Sequence, residues 1–148
     1  MINEFKHHID RLRFSGLRPT KQRLAICKIL FGRSDTFHFT IENLKKIIEK
    51  DKKNKISLAT LYNTVHVFKK NGYLKEIALQ GNKTFFDTNT KNHHHFYDED
   101  TSELHDIKNE NMFVGKIPVA PIGKKIKGIE VTVRIVSGNN NQKKQLNQ

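Results

Sequence analysis

The chain has 148 residues, which is enough for one ordinary domain or two small ones. Its formal net charge is +12 at pH 7, and 36% of its residues are hydrophobic. No run approaches the roughly 18 apolar residues of a membrane span, and the N-terminal sequence lacks the apolar stretch of a signal peptide. We therefore expect a cytoplasmic protein without a membrane partner. One cysteine, Cys27, excludes an intrachain disulfide framework and a cysteine-based zinc site.

The charge is unevenly divided along the chain. Residues 1–88 hold 18 Lys and Arg against 8 Asp and Glu, whereas residues 89–148 hold 9 against 7. The basic first part indicates a polyanionic partner, most simply nucleic acid. Charge alone leaves open a lysine-rich protein that is merely soluble.

Four helices are predicted in the first part. The second begins after Thr20 and the fourth after Ser57, hydroxyl residues that can cap a helix, and the third begins at Thr40. Apolar residues recur in each helix at the three- to four-residue spacing of a buried face. They are Ile2, Phe5, Ile9 and Leu12 in the first, Leu24, Cys27 and Leu30 in the second, Ile41, Leu44, Ile47 and Ile48 in the third, and Leu58, Leu61, Val65 and Phe68 in the fourth.

After Gly72 the pattern changes to two short strands, joined by Gly81-Asn82 as a hairpin turn. Helices followed by a hairpin with lysine near its tip are typical of a winged helix-turn-helix. The recognition helix would be residues 56–72, the wing 73–88, and the DNA-binding domain 1–88.

The outer face of the fourth helix is the candidate surface for reading DNA. Ala59, Asn63 and His66 face away from the apolar stripe, and Thr60 and Tyr62 flank them. Asn can read adenine, and Thr or an aromatic ring can contact a thymine methyl group in the major groove. An amphipathic helix whose polar face is only solvated is the alternative.

The second part is shorter and contains two predicted strands. They are "ELHDI" (103–107) and "IEVTVRIV" (129–136), the latter with alternating apolar residues. We expect a metal- or haem-binding dimerisation domain over residues 89–136, with a homodimer built on the 129–135 strand, and a disordered tail over 137–148.

The segment "NHHHFYDEDTSELHD" (92–106) gathers imidazoles and carboxylates in one place. On a strand, His93 and His95 point to the same face and His94 to the opposite one. Imidazole and carboxylate without thiolate suit Zn²⁺, Mn²⁺ or Fe²⁺. A solvated polar loop and a metal-dependent hydrolase or nuclease are the alternatives.

Three motifs together resemble the ferric uptake regulator superfamily. They are "GLRPTKQR" (16–23), "ISLATLYNTVHVFKKNGYL" (56–74) and "HHHFY" (93–97), in family order within residues 10–136. Within the superfamily, "SLATLYNT", "KTFFDTN" and "HHHFY" followed by "ELHDI" are most similar to the iron response regulators.

The resemblance implies an α+β protein, with an N-terminal winged helix-turn-helix domain followed by a small α/β dimerisation domain. It implies a homodimeric transcription regulator of iron or haem homeostasis that binds a palindromic double-stranded operator, and not an enzyme. A zinc- or manganese-sensing repressor of the same family is the runner-up.

The resemblance also assigns candidate residues. The metal ligands would be His38, Asp87, His93, His95 and Asp106. Haem contacts would be His93, His94 and His95. Residues on DNA would be Arg18 in the minor groove, Tyr62 at thymine, and Ser57, Thr60 and Asn63 around it.

Several positions depart from the family pattern. Asp98 and Thr101 occupy the places of the CxxC that holds structural zinc in some members, and Asn92 and Phe113 occupy ligand places of another metal site. Asn63 stands where many relatives have arginine. Because Lys28 follows Cys27, the chain lacks the Cys-Pro haem motif there, and a haem contact would fall to residues 93–95.

Overall fold

The computed structural model describes residues 2–138, and the chain divides after Thr90 into two compact units. We call residues up to 90 the first unit and those from 91 the second unit. Of the predicted tail, residues 139–148 lie outside the described residues. Within the described part, no helix is long and apolar enough to cross a membrane.

The four predicted helices are all present in the first unit. They are α1 (Ile2–Phe14), α2 (Lys21–Phe31), α3 (Ile41–Lys50) and α4 (Leu58–Lys70). The predicted caps Thr20 and Ser57 are confirmed, and Thr40 is also a cap, because each of these side chains accepts a hydrogen bond from the backbone N–H three residues later. Thr40 forms a full capping box, which Asn43 completes.

The buried faces differ from the predicted stripes at three positions. Phe5, Ile47 and Leu58 are 55%, 36% and 46% exposed, while His8 and Thr64 are buried in their helices instead. Leu58 lies on the first turn of α4, outside the span of the buried residues 61–68. Thr64 can be buried because its hydroxyl donates to the carbonyl of Thr60 at 2.8 Å.

The wing is a three-stranded sheet rather than a simple hairpin. Strand β1 (His38–Phe39) precedes α3, and β2 (Lys75–Ala78) and β3 (Thr84–Asp87) form the predicted hairpin. All pairings are antiparallel, in the order β1-β3-β2. The predicted turn is confirmed, since Gly81 (φ 84°) and Asn82 (φ 60°) both adopt the left-handed conformation.

The second unit is built on another three-stranded sheet. It contains β4 (His94–Asp98), β5 (Glu103–Ile107) and β6 (Thr132–Ile135), in the order β5-β4-β6. The predicted 103–107 strand is confirmed, and the 129–136 strand is shorter than predicted. Strand β6 runs parallel to β4. The helical element described in this unit is the 3₁₀ turn Asn109–Asn111.

Candidate metal centre and DNA-binding surface

Two histidines and one carboxylate converge in the second unit. His95 on β4 is paired in register with Asp106 on β5, and His93 lies just before β4. Both histidine Nε2 atoms approach the same carboxylate oxygen, Asp106 Oδ1, at 3.1 Å from His93 and 3.3 Å from His95. Both histidines are buried, with exposed fractions of 7% for His93 and 3% for His95. We call these three residues the triad.

The tautomer of His93 shows what the triad can bind. His93 Nδ1 lies 2.6 Å from the carbonyl oxygen of Lys91, which can only accept, so Nδ1 carries the proton. In the neutral ring, Nε2 is then a lone pair that faces a carboxylate oxygen. Two acceptors face each other stably only when a cation lies between them or the ring takes a second proton. A carbonyl that orients a histidine through its other nitrogen is also the usual support of a metal ligand.

A second pair of candidate ligands lies in the first unit. His38 on β1 is in register with Asp87 on β3, and His38 Nε2 lies 3.0 Å from Asp87 Oδ2. Asp87 has no exposed surface, and its other oxygen accepts from the Asn89 amide at 2.8 Å. A fully buried carboxylate requires compensating donors or a cation. We call these two residues the wing pair.

The donor sets fit a divalent cation of the first transition series. The triad offers two imidazole nitrogens and a carboxylate, and the wing pair offers one of each. Such nitrogen and oxygen donors without thiolate suit Zn²⁺, Mn²⁺ and Fe²⁺. Sequence reasoning found His93 and His95 from their spacing, but it placed the other three residues only through the family resemblance.

The third histidine of the run has a different role from its neighbours. His94 Nδ1 accepts a hydrogen bond from the backbone N–H of Val131 at 2.9 Å. Nδ1 is therefore unprotonated, and in the neutral ring Nε2 carries the hydrogen. His94 fastens the chain just before β6 to β4 in this arrangement.

The predicted DNA-binding residues lie at or near the surface of the first unit. Arg18 precedes α2 and is exposed, as are Asn63 and Tyr62 on α4, the last with 40% exposure. Ser57 is the N-cap of α4 and accepts a hydrogen bond from the Thr60 backbone N–H at 3.1 Å, and the two hydroxyls hydrogen-bond each other at 2.8 Å. The Ser57 side chain therefore also has a structural role.

One residue on this surface was not among the predicted DNA contacts. His66, one turn after Tyr62 on α4, stacks on the Tyr62 ring with a centroid distance of 5.9 Å. Its outward position followed from the helical spacing, but its edge-to-face contact with Phe86 of β3 could not be read from the sequence.

Comparison with known proteins decides the family. The model of the ferric uptake regulator family matches residues 14–133. The chain is also 36% identical over 106 residues to the peroxide-responsive repressor PerR of Staphylococcus aureus (strain Mu50), covering 72% of this chain and 70% of the repressor. The chain belongs to the ferric uptake regulator family. Members of this family are transcription regulators that bind DNA and divalent metals and act as dimers.

Solved structures of family members share the fold. The ferric uptake regulator of Vibrio cholerae matches with a TM-score of 0.66 at 20% identity, covering 87% of this chain and 98% of the other. That of Pseudomonas aeruginosa, solved with manganese, matches with a TM-score of 0.63 at 18% identity, covering 89% and 98%. These likenesses confirm the predicted α+β fold. The comparisons support the family and do not specifically support its iron response regulator branch.

At the positions of the family's CxxC, this chain uses its residues for a turn. Asp98 Oδ1 accepts from the backbone N–H groups of Asp100 and Thr101 at 2.9 and 3.2 Å. This side chain therefore shapes the connection between β4 and β5, as Asp residues commonly do in turns.

Proposed function

We propose that this chain is a metal-responsive transcription regulator whose affinity for a DNA operator depends on a divalent cation. The carrying observation is the triad, in which His93 Nε2 and His95 Nε2 lie 3.1 and 3.3 Å from the same oxygen, Asp106 Oδ1. A cation converts these contacts into shared coordination. Membership of the ferric uptake regulator family supports the DNA-binding part of the proposal.

We propose further that both the wing pair and the triad are ligands for a divalent cation, as the family resemblance implies. His38 and Asp87 belong to the first unit, whereas His93, His95 and Asp106 belong to the second. The ion changes DNA affinity only by the difference between its affinities for the DNA-bound and free states.

The expected ion is Zn²⁺, Mn²⁺ or Fe²⁺, and haem is the further proposal for residues 93–95. The hydrogen-bonding roles of the two ring nitrogens of His94 favour a bare ion over haem. His94 Nδ1 is occupied by the Val131 amide, so its Nε2 must lose its hydrogen before it can ligate iron. His93 and His95 remain the candidate haem ligands.

The DNA side of the proposal rests on charge and on the exposed face of α4. The first 88 residues carry ten more positive than negative charges. We expect the logarithm of the association constant to fall with the logarithm of salt concentration, with a slope of about 0.9 per phosphate contact. Arg18→Ala should lower that slope by about one contact, and Tyr62→Ala should relax discrimination at one position of each half-site.

We propose a homodimer that matches a two-fold palindromic operator. One face of the β4–β6 sheet keeps apolar side chains partly exposed, with Phe96 and Ile135 each at 36% exposure. A second copy of this chain would cover them. Sedimentation at micromolar protein should therefore show a dimer, and a monomer would contradict this part of the proposal.

A peroxide response is a second candidate, which the 36% identity to a peroxide-responsive repressor favours. It predicts that hydrogen peroxide releases the metal-loaded protein from DNA. A hydrolase or nuclease is the alternative from another class, and it predicts metal-dependent cleavage of the same DNA.

The deciding experiment selects a duplex from random sequence with the full-length protein and then measures its dissociation constant. The measurement is made with chelator and with Mn²⁺, Zn²⁺, Fe²⁺ or haem. We expect one bare ion to tighten or weaken binding by roughly 5- to 150-fold. Asp106→Ala should abolish this response and retain binding without the ion, whereas Glu103→Ala, an exposed acid on the same strand, should leave the response intact. An unchanged response in Asp106→Ala, or cleavage of the duplex, would refute the proposal.

A further inference from the structure

A series of aromatic contacts in the first unit joins the wing to the recognition helix. Phe39 on β1 stacks on Phe86 of β3 with a centroid distance of 5.6 Å and an interplanar angle of 26°. Phe86 meets the ring of His66 on α4 edge-to-face, at 5.9 Å and 84°. His66 in turn stacks on Tyr62 at 5.9 Å and 16°.

This series starts beside the wing pair. His38 and Asp87 face each other in register, and the next register pair of the same strands is Phe39 and Phe86. Because neighbouring residues on a strand point to opposite faces, the two ligands lie on one side of β1 and β3 and the two phenylalanines on the other. A change in the spacing of His38 and Asp87 therefore reaches Phe86 through one backbone position.

The last two members lie at the surface that is proposed to meet DNA. Phe86 is 2% exposed, so its position is fixed by the core around it. Tyr62 is 40% exposed on α4, and its ring is held on one side by His66. His66 is itself exposed and thus contributes little to the core. Its two ring contacts connect a fixed core residue to a DNA-facing side chain.

We propose that His66 is a positioning residue that couples ion binding at the wing pair to the placement of Tyr62 on DNA. This inference rests on the proposed function and names a route for its regulation. With an ion bound, His38 and Asp87 are held together, β1 and β3 keep their register, and Phe86 holds His66 and the Tyr62 ring in one orientation. Without the ion, the Tyr62 ring samples more orientations, which weakens binding that depends on its contact.

The expected size follows from the kind of contact. An edge-to-face or stacked aromatic pair shifts an equilibrium by roughly two- to tenfold beyond the burial of its surface. The loss of His66 should therefore reduce the coupling by that factor and leave the ion affinity of the DNA-free protein nearly unchanged. An ordinary packing residue would instead change stability.

The test compares full-length wild type with His66→Ala, His66→Phe and the control His105→Ala, which removes an exposed histidine from β5. The duplex is the one that the wild-type protein selects. For each protein we would measure the dissociation constant with chelator and with saturating Mn²⁺ or Zn²⁺, the ion affinity without DNA, and the midpoint of thermal unfolding. The ratio of the two dissociation constants is the coupling factor.

We expect His66→Ala to lower the coupling factor by roughly two- to tenfold, with unchanged ion affinity and midpoint. His66→Phe should restore the factor because it keeps a ring between Phe86 and Tyr62, and His105→Ala should match wild type. If wild type responds to the ion and His66→Ala has the same coupling factor as wild type, the inference is overturned and the proposed function stands. A wild-type protein with no ion response overturns the proposed function, and the inference with it. A His66→Ala protein that loses coupling only with a lowered midpoint, without rescue by Phe, shows a structural role and also overturns the inference.

Discussion

The buried histidine of α1 allows a stability prediction with a definite sign. His8 is 5% exposed, and neither of its ring nitrogens has a hydrogen-bond partner among the described residues. The nearest acid, Glu4, lies 3.9 Å from Nε2. Burial lowers the pKa of His8 below its usual value, as does the nearby Arg11, while Glu4 opposes this effect. The substitution His8→Leu replaces the ring by an apolar side chain of similar volume.

Two effects set the magnitude. A buried polar group without a partner lowers the free energy of unfolding by about 1–3 kcal/mol. Imperfect packing of the new leucine side chain offsets part of the stability gained by removing that group. We expect His8→Leu to raise the free energy of unfolding by about 1–2 kcal/mol at neutral pH. Because the pKa of His8 is lowered in the folded state, the unfolded chain takes up a proton that the folded chain does not. The free energy of unfolding of the wild-type protein therefore decreases as the pH falls below 6.5, by up to about 1.4 kcal/mol per pH unit until the folded pKa is reached.

Urea unfolding followed by helical circular dichroism measures this effect in the right part of the molecule. All the α-helices among the described residues lie in the first unit, so the signal reports its unfolding. His7→Leu is the matched control, since His7 is the exposed neighbour on the same helix. Between about pH 5 and 7, His8→Leu should flatten the dependence of stability on pH, and His7→Leu should leave it nearly unchanged. A His8→Leu protein that is less stable at neutral pH, or that keeps the wild-type pH dependence, would refute the reasoning.

Two further predictions concern the first unit. Thr40→Ala should lower the free energy of unfolding by about 1 kcal/mol, because it removes the hydroxyl that caps α3 and half of its capping box with Asn43. Thr36→Ala, at an exposed threonine, is the control in the same urea assay. Cys27 should resist alkylation by iodoacetamide at about pH 8 until the protein unfolds, because burial raises the pKa of its thiol to about 12; rapid labelling of the folded protein, followed by mass spectrometry, would contradict this.

The parts of the fold that local signals determine were predicted well. A hydroxyl at the start of α2, α3 and α4 and glycine-asparagine at the hairpin turn act within four residues, so the sequence displays them directly. Strand β1 was missed because His38–Phe39 is only two residues long and has no periodicity. The parallel pairing of β6 with β4 joins segments that are far apart in the sequence, and no local pattern encodes it.

The candidate site shows the same division. The spacing of His93 and His95 predicts a shared face because both lie on one short stretch of chain. The approach of Asp106 depends on the register between β4 and β5, and that of Asp87 to His38 on the register between β3 and β1. Composition could only show that acids were nearby. The helical spacing placed His66 outward, but its contact with Phe86 is a tertiary feature.

The acidic residues that follow the histidines do not all serve one cation site. Asp106 belongs to the triad, but Asp100 Oδ2 accepts from both the backbone N–H and the hydroxyl of Ser137 at 2.6 Å, and Glu99 pairs with Arg134 at 3.3 Å. These contacts hold the end of β6 beside β4. The Ser137 hydrogen bonds lower the pKa of Asp100 below its usual 3.8, so the stabilisation is present above that pH and is lost as the pH falls through the folded pKa. We therefore expect Asp100→Asn to speed hydrogen exchange at the Ser137 amide without changing Mn²⁺ affinity, whereas Asp106→Asn should weaken Mn²⁺ binding and leave that amide protected. Exchange measured by mass spectrometry that responded to Asp106→Asn and not to Asp100→Asn would assign the two carboxylates the opposite roles.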